Sequence, residues 1–211
     1  MKHVNSSIAG GIPYESWSLS GLLMLIVTIS LIPIVYRDLF DLRIHKNVLF
    51  PLTITPISKQ KIIIGFLFAA VLESMIFVII ALIAFGLLTS HLQSLINYLV
   101  IIPYVIAYGF IIGNLIISFS LMTNRTMNFL LIIVTSVIFI TFSSDSIVGI
   151  NNFPPILENI FKYLPTTMLV SGLREVLLGG TIHYISFIYP VIIGIMWTIL
   201  NGSLLKRKLN Q

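Results

Sequence analysis

The stretch Ile62–Leu88 reads IIIGFLFAAVLESMIFVIIALIAFGLL and carries one ionisable residue, Glu73. A helix needs about 20 apolar residues to cross a hydrocarbon core that is roughly 30 Å thick. This stretch is long enough, and it is apolar on every side, so it lacks the polar face of a surface helix. It also lacks the alternation of a membrane β-strand. The stretch therefore predicts a membrane-spanning α-helix.

The rest of the chain has the same character, with 57% apolar and 9% charged residues among its 211. Soluble domains are roughly a quarter charged, so the composition excludes an ordinary soluble enzyme, a nucleic-acid binder and a disordered chain. We predict an all-α, polytopic membrane bundle that forms one domain over residues 1–211. Four further spans are expected at Ser18–Tyr36, Leu95–Met122, Met127–Ser143 and Tyr184–Leu205.

Basic residues divide unequally between the two sides that alternating spans would create. One side holds three, Lys2, Lys162 and Arg174, and the other holds nine. An excess of Lys and Arg marks the cytoplasmic side, so we expect an external N-terminus and a cytoplasmic C-terminus. The run Lys206–Lys208 is expected to anchor the tail at anionic lipid. The nine are Arg37, Arg43, Lys46, Lys59, Lys61, Arg125, Lys206, Arg207 and Lys208.

The N-terminal tail Met1–Trp17 has no apolar core of a signal peptide. With five spans this short tail would have to cross the membrane by itself. The alternative expectation is a chain that lacks an upstream span, through truncation or a misplaced start codon.

Two segments between spans differ from simple loops. Residues 37–61 mix charged and apolar residues, and Thr55 or Ser58 can cap the helix that follows, with Pro56 in its first turn. Residues 144–183 are too apolar for a solvated loop. Prolines divide them into two expected short helices, Ile156–Leu164 and Thr166–Leu178. Such backbone is tolerated at membrane depth where it is buried in protein or lines a cavity, so we expect a re-entrant or interfacial cap.

Three patterns occur in a fixed order along the chain. Tyr36-Arg37-Asp38 closes the first span, Thr55-Pro56-Ile57-Ser58 precedes the second, and Leu164-Pro165, Leu173-Arg174 and Gly179-Gly180 precede the last. This series resembles the type-2 ABC transporter permeases, the membrane subunits of bacterial drug, antibiotic and polysaccharide exporters. The resemblance covers Ser18–Leu205.

The resemblance implies a permease subunit in a bacterial cell membrane that exports a drug, antibiotic, peptide or lipid-like substrate. It implies a second permease copy or a sister permease, and a separate cytoplasmic ATPase dimer that binds ATP and Mg. It places the coupling helix, which docks on the ATPase, at Arg37–Pro51, and helices that close the exit at Ile156–Gly180. The coupling candidates are Arg37, Asp38, Asp41, Arg43 and Lys46.

The sequence departs from the family pattern in two places, at the N-terminus and in the expected coupling segment. The family has an N-terminal amphipathic helix and one more span, which this sequence does not show. It often carries an acidic residue with Gly-Thr before the Thr-Pro-Ile-Ser pattern, where this chain reads Asp41-Leu42-Arg43-Ile44-His45-Lys46.

Glu73 and Asn114 are the polar candidates inside the spans. A carboxylate in a membrane span usually faces the bundle interior or a cavity. Glu73 could face a cationic substrate or relay protons, or it could make an interhelical contact. No Lys or Arg is expected at its depth, so no ion-pair partner is assigned. Asn114 could line a pathway or join helices. Gly109 and Gly113 form a GxxxG pattern that allows close helix approach, within one subunit or between subunits.

Arg174 and Glu175 in the external segment could form a gate or a substrate-entry ion pair, or they could be snorkelling or capping residues. The four His residues are scattered, so no metal site is expected, and Cys is absent. No G-x-x-x-x-G-K-[ST] loop occurs, so any ATPase must be a partner chain. No catalytic residue and no cofactor is expected in this chain, and the expected contacts are with membrane lipid and not with nucleic acid.

Two other functions stay open at this point. The first is a non-transporting immunity or resistance protein derived from such a permease, which the absent first span favours. The second is an intramembrane enzyme, which would need clustered polar side chains at one depth, where the sequence offers Glu73 and Asn114.

Overall fold

A computed structural model describes residues 7–8, 12–46, 57–88, 95–178 and 183–209. The described part begins with a short antiparallel strand pair, Ser7–Ile8 with Ile12–Pro13, in which Ile8 lies opposite Ile12. Everything after it in the described part is helix, turn or short connection. The expected all-α bundle is confirmed, with five helices that are long and apolar enough to cross a membrane.

The first long helix has three consecutive parts. Helix α1 covers Tyr14–Val35, a π-helical segment covers Tyr36–Asp41, and α2 covers Leu42–Ile44. Aromatic rings stack along the π-helical segment. The ring centre of Phe40 lies 4.6 Å from that of Phe129 and 5.4 Å from that of Tyr36. The helix therefore ends later than the sequence predicts, since Arg37–Ile44 continue it.

Four more long helices follow: α3 (Lys59–Leu88), α4 (Leu95–Met122), α5 (Thr126–Ser143) and α8 (Tyr184–Leu209). Ser58 caps α3, because the backbone N–H of Lys61 donates to Ser58 Oγ at 3.4 Å. This agrees with one of the two expected caps, and Thr55 and Pro56 lie outside the described residues. The family's Gly179-Gly180 also lies outside them.

The segment after α5 forms two short helices, α6 (Pro155–Lys162) and α7 (Pro165–Leu177). Each begins with a proline in its first turn, where the missing N–H costs no hydrogen bond. Thr167 of α7 donates its hydroxyl to the carbonyl of Ser143 at 3.0 Å, which joins α7 to the end of α5. We call the end of the bundle with α6 and α7 the cap end. The opposite end, where Arg43, Lys59 and Lys206 lie, is the basic end.

Two helices form the centre of the bundle. The apolar stretch of the first long helix is 61% buried and that of α4 is 67% buried, against 28% for α3, 22% for α5 and 33% for α8. Fully buried side chains such as Leu23, Val27 and Ile112 fill the space between the elements. The outer three helices expose rows of large apolar side chains, which is the surface that a membrane protein presents to lipid. The chain is therefore a membrane protein.

Candidate functional site

Three groups of interacting polar side chains are the main candidates for function. The first lies on the outer face of the π-helical segment and α3, the second at the interior contact of α4 with α8, and the third at the cap end.

On the outer face, Arg37, Asp38 and Glu73 form a charged cluster. Nε of Arg37 donates to Asp38 Oδ1 at 2.6 Å, and Nη2 donates to both carboxylate oxygens of Glu73 at 2.9 Å. The side chain of Arg37 is 57% exposed and that of Glu73 is 42% exposed. Exposed Leu72 and Ile76 flank Glu73 along α3. The cluster therefore faces outward in an apolar region.

This arrangement corrects two expectations. A partner for Glu73 exists, because the first long helix continues through Arg37 and brings its guanidinium beside α3. The carboxylate also lies on the outer face of the bundle and not in its interior. Sequence reasoning missed the pair because it ended the first span at Tyr36.

The other candidate coupling residues also have partners within the chain. Asp41 and Lys46 form an ion pair at 2.9 Å on the exposed side of the helix end. Arg43 points inward, and Nη2 donates to the carbonyls of Ser120, at 2.5 Å, and Thr123. It therefore caps the C-terminus of α4, where carbonyls have no helical partner. Of the five candidate coupling residues, Asp41 and Lys46 lie at the end of the first long helix. Arg43 is bound to α4, and Arg37 and Asp38 belong to the charged cluster.

The second group is a hydrogen-bond network between α4 and α8. Nδ2 of Asn201 donates to the Asn114 carbonyl at 2.9 Å and to Asn114 Oδ1 at 3.0 Å. Ser118 donates to Asn201 Oδ1 at 2.6 Å, and Trp197 Nε1 donates to Ser118 at 2.8 Å. Asn114 and Asn201 are fully buried. Nδ2 of Asn114 also donates to the Gly194 carbonyl of α8 at 3.3 Å, so both ends of the Asn114 side-chain amide bond α8. Such interhelical bonds hold membrane helices together.

The GxxxG face of α4 contacts helices of the same chain. A Cβ atom on Gly113 would lie 2.5 Å from Leu67 Cδ1 of α3, and one on Gly109 would lie 3.3 Å from Val27 Cγ1 of α1. Both glycines therefore permit close packing inside the subunit, at the centre of the bundle.

The third group is a buried ion pair at the cap end. Nη1 of Arg174 donates to Asp145 Oδ2, Nη2 donates to the Asp145 carbonyl at 2.5 Å, and Nε donates to Ser20 Oγ of α1 at 3.3 Å. The guanidinium also lies 4.4 Å from the ring centre of Trp17. Burial raises the pKa of Asp145 and lowers the pKa of Arg174, and the charge of each partner opposes the shift of the other. We call Arg174, Asp145, Ser20 and Trp17 the cap clasp.

Backbone geometry supports the cap clasp. Asp145 has a φ of 61°, a left-handed conformation that Asp tolerates better than most residues. Its Oδ1 accepts a hydrogen bond from the N–H of Ile150 at 2.9 Å, which closes the turn after α5. Gly21 lies where this turn meets α1, and a Cβ atom there would be 2.0 Å from the carbonyl oxygen of Ser146.

Arg174 and Glu175 do not form a pair with each other. Neighbouring residues on a helix point in different directions, so Arg174 faces Asp145 while Glu175 lies 3.6 Å from His183 on the exposed side. The expectation of an ion pair between them is wrong. Sequence reasoning missed Asp145 because it lies far from Arg174 in the chain.

Two cavities accompany these groups. One of about 730 Å³ opens beside the cap clasp and is lined by Trp17, Asn152, Glu158 and Lys162 among others. The other, of about 440 Å³, lies between α4, α5 and the start of α7. It is lined mainly by apolar side chains, including Leu115, Phe139 and Trp197, with the hydroxyl groups of Thr135 and Ser136. Among the described residues, no group of three His, Asp or Glu side chains is arranged to hold a metal ion.

No protein-family model, curated protein or solved structure matches this chain.

Proposed function

We propose that this chain is the membrane permease subunit of an ATP-driven exporter of the type-2 ABC class, and that it is not itself an enzyme. The observation that carries the proposal is the continuity of the first long helix. At the cap end this helix supplies Trp17 and Ser20 to the cap clasp. At the basic end it supplies Asp41, which pairs with Lys46 two residues beyond the end of the helix. One helix therefore connects the candidate docking residues to the candidate exit.

The mechanism follows from that connection. A partner ATPase dimer, with its ATP and Mg, binds the exposed basic end around Asp41 and Lys46. Because a helix is stiff along its axis, a push at this end moves Ser20 and Trp17 at the other. The hydrogen bond between Ser20 and Arg174 then breaks, and the cap formed by α6 and α7 is free to move. Here the basic end faces the cytoplasm, as the excess of Lys and Arg favours.

The substrate in this proposal is amphipathic or lipid-like. The cavity between α4, α5 and α7 supports this choice, because its walls are largely apolar with a few hydroxyl groups. Such a cavity suits an alkyl or aromatic portion of a molecule, while a strongly charged group would lose its hydration there.

Co-purification tests the proposal. A tagged chain is expressed with the ATPase encoded beside its gene and is extracted in mild detergent. We expect a complex that survives size-exclusion chromatography. A chain that is folded by circular dichroism and elutes without the ATPase would instead favour the non-transporting immunity or resistance protein.

A further inference from the structure

The charged cluster of Arg37, Asp38 and Glu73 is in an unfavourable place for a chain alone in a bilayer. Charged side chains in membrane helices are rare, and they almost always face the bundle interior or a water-filled cavity. Here the side chains of Arg37 and Glu73 are 57% and 42% exposed on the outer face, among exposed apolar residues. Something other than lipid tails must cover them.

The unused hydrogen-bonding capacity of the cluster indicates what the cover provides. Arg37 uses Nε and Nη2 for Asp38 and Glu73, while Nη1 makes no hydrogen bond to the described residues. The two carboxylates accept bonds only from Arg37 among the described residues, and each carboxylate can accept about four. Within the described part of the chain, the patch therefore has both donors and acceptors to spare.

We propose that a second copy of this chain covers the charged cluster, with the α3 helices of the two copies in contact. A cyclic dimer brings the same patch of each subunit together around a two-fold axis, so the patch must complement itself. This patch can, because each cluster has a donor, Nη1 of Arg37, and acceptors, the carboxylate oxygens of Asp38 and Glu73, that a second copy could pair with in return. An axis along the membrane normal also places both clusters at one depth.

The shape of α3 beside the cluster fits this contact. Ala69 and Gly65 are exposed and lie about one and two turns from Glu73 on the same face. A Cβ atom on Gly65 would meet nothing within 4 Å. Small residues at a spacing of four let two membrane helices approach closely. This inference rests on the proposed permease function, whose family resemblance implies a second permease copy or a sister permease and leaves the contact face open. This inference names the face, and it holds whether or not an ATPase binds.

Cysteine crosslinking tests the contact, since the chain has no Cys of its own. Ala69→Cys places a thiol on the proposed face, and the matched control Leu131→Cys places one on the exposed face of α5. Both variants are made without any ATPase, and they are oxidised in native membranes. We expect a disulfide-linked dimer for A69C and a monomer for L131C. A monomer for A69C, or equal crosslinking of both variants, would overturn the proposal.

A bulky substitution gives a second test that leaves the charges unchanged. Ala69→Trp should abolish the crosslink that Gly65→Cys forms, while Leu131→Trp in the same G65C chain should leave it intact. Because residues 69 and 131 are both exposed, neither change fills the core of the subunit. Co-purification of two differently tagged wild-type copies must also succeed. If the two tagged copies do not co-purify, the proposal is wrong, and a foreign helix or a lipid is left as the cover of the cluster.

Discussion

Arg174 of α7 donates a hydrogen bond from Nε to Ser20 Oγ of α1 at 3.3 Å, while its two terminal nitrogens hold Asp145. This contact fastens the cap to the helix that also carries the charged cluster. The side chains of Arg174 and Asp145 are only 10% and 11% exposed, so water screens their attraction less than it would at the surface.

Arg174→Met should therefore be strongly destabilising. It leaves the Asp145 carboxylate buried without its cation, and breaking such pairs typically costs about 3–5 kcal/mol. The matched control is Glu175→Gln, which removes an exposed pair with His183 and should cost less than about 0.5 kcal/mol. Thermal unfolding in detergent measures both. Equal melting temperatures for the two variants would show that the cap clasp contributes little.

Gly21 provides a test of the close contact between α1 and the turn after α5. A Cβ atom there would lie 2.0 Å from the Ser146 carbonyl oxygen, so Gly21→Ala must displace backbone. We expect a loss of about 1–3 kcal/mol, the usual cost of overpacking. Gly149→Ala, where the nearest atom to a Cβ would be Asn152 Nδ2 at 3.5 Å, is the matched control and should cost little. If G21A melts like the wild-type protein, the turn does not pack as described.

The network between α4 and α8 predicts coupling between Asn114 and Asn201. Each single change to Ala removes hydrogen bonds that the other residue makes, so their effects should not add. A double-mutant cycle should give a coupling of about 0.6–2 kcal/mol, the range for hydrogen bonds between membrane helices. Ser203→Ala, on the exposed side of α8, is the control and should show no coupling to N114A. Additive effects would contradict the network.

Much of this architecture could be predicted from the sequence, because span length and apolar composition are local properties. The ends of α4 and α8 near Met122 and Tyr184 follow from them, as do the prolines that begin α6 and α7. The first helix is longer than the sequence predicts, because the charge of Arg37 favours the end of a span at Tyr36. The structure continues the helix to Ile44, and Arg37 pairs there with Glu73.

The contacts between distant residues could not be predicted from one sequence. Arg174 contacts Asp145, which is 29 residues away in the sequence, and Asn201 contacts Asn114, which is 87 residues away. Nothing in local pattern distinguishes Asp145 from an ordinary loop residue. The position of Asn201 inside an apolar helix was a usable signal for a polar contact, because an asparagine there needs a partner.

Among the candidate coupling residues, Asp41 and Lys46 pair at the exposed end of the helix, while Arg43 binds α4. This difference predicts which residues the ATPase contacts. Reversing both charges, in the double variant Asp41→Lys with Lys46→Asp, keeps the ion pair within the chain while inverting the exposed pattern. We expect normal melting and reduced co-purification with the ATPase. Arg43→Gln is the contrasting variant. It should lower the melting temperature, because Arg43 holds the carbonyls at the end of α4. Undiminished ATPase recovery with the reversed pair would remove Asp41 and Lys46 from the docking site.

The central claim is that this chain couples a partner ATPase to the opening of the cap. The most direct measurement is the rate of ATP hydrolysis by the neighbouring ATPase in nanodiscs, with and without this chain. We expect a stable complex whose turnover differs from that of the free ATPase and reverts towards it in the reversed-pair variant. A folded chain that neither binds the ATPase nor changes its turnover would contradict the claim.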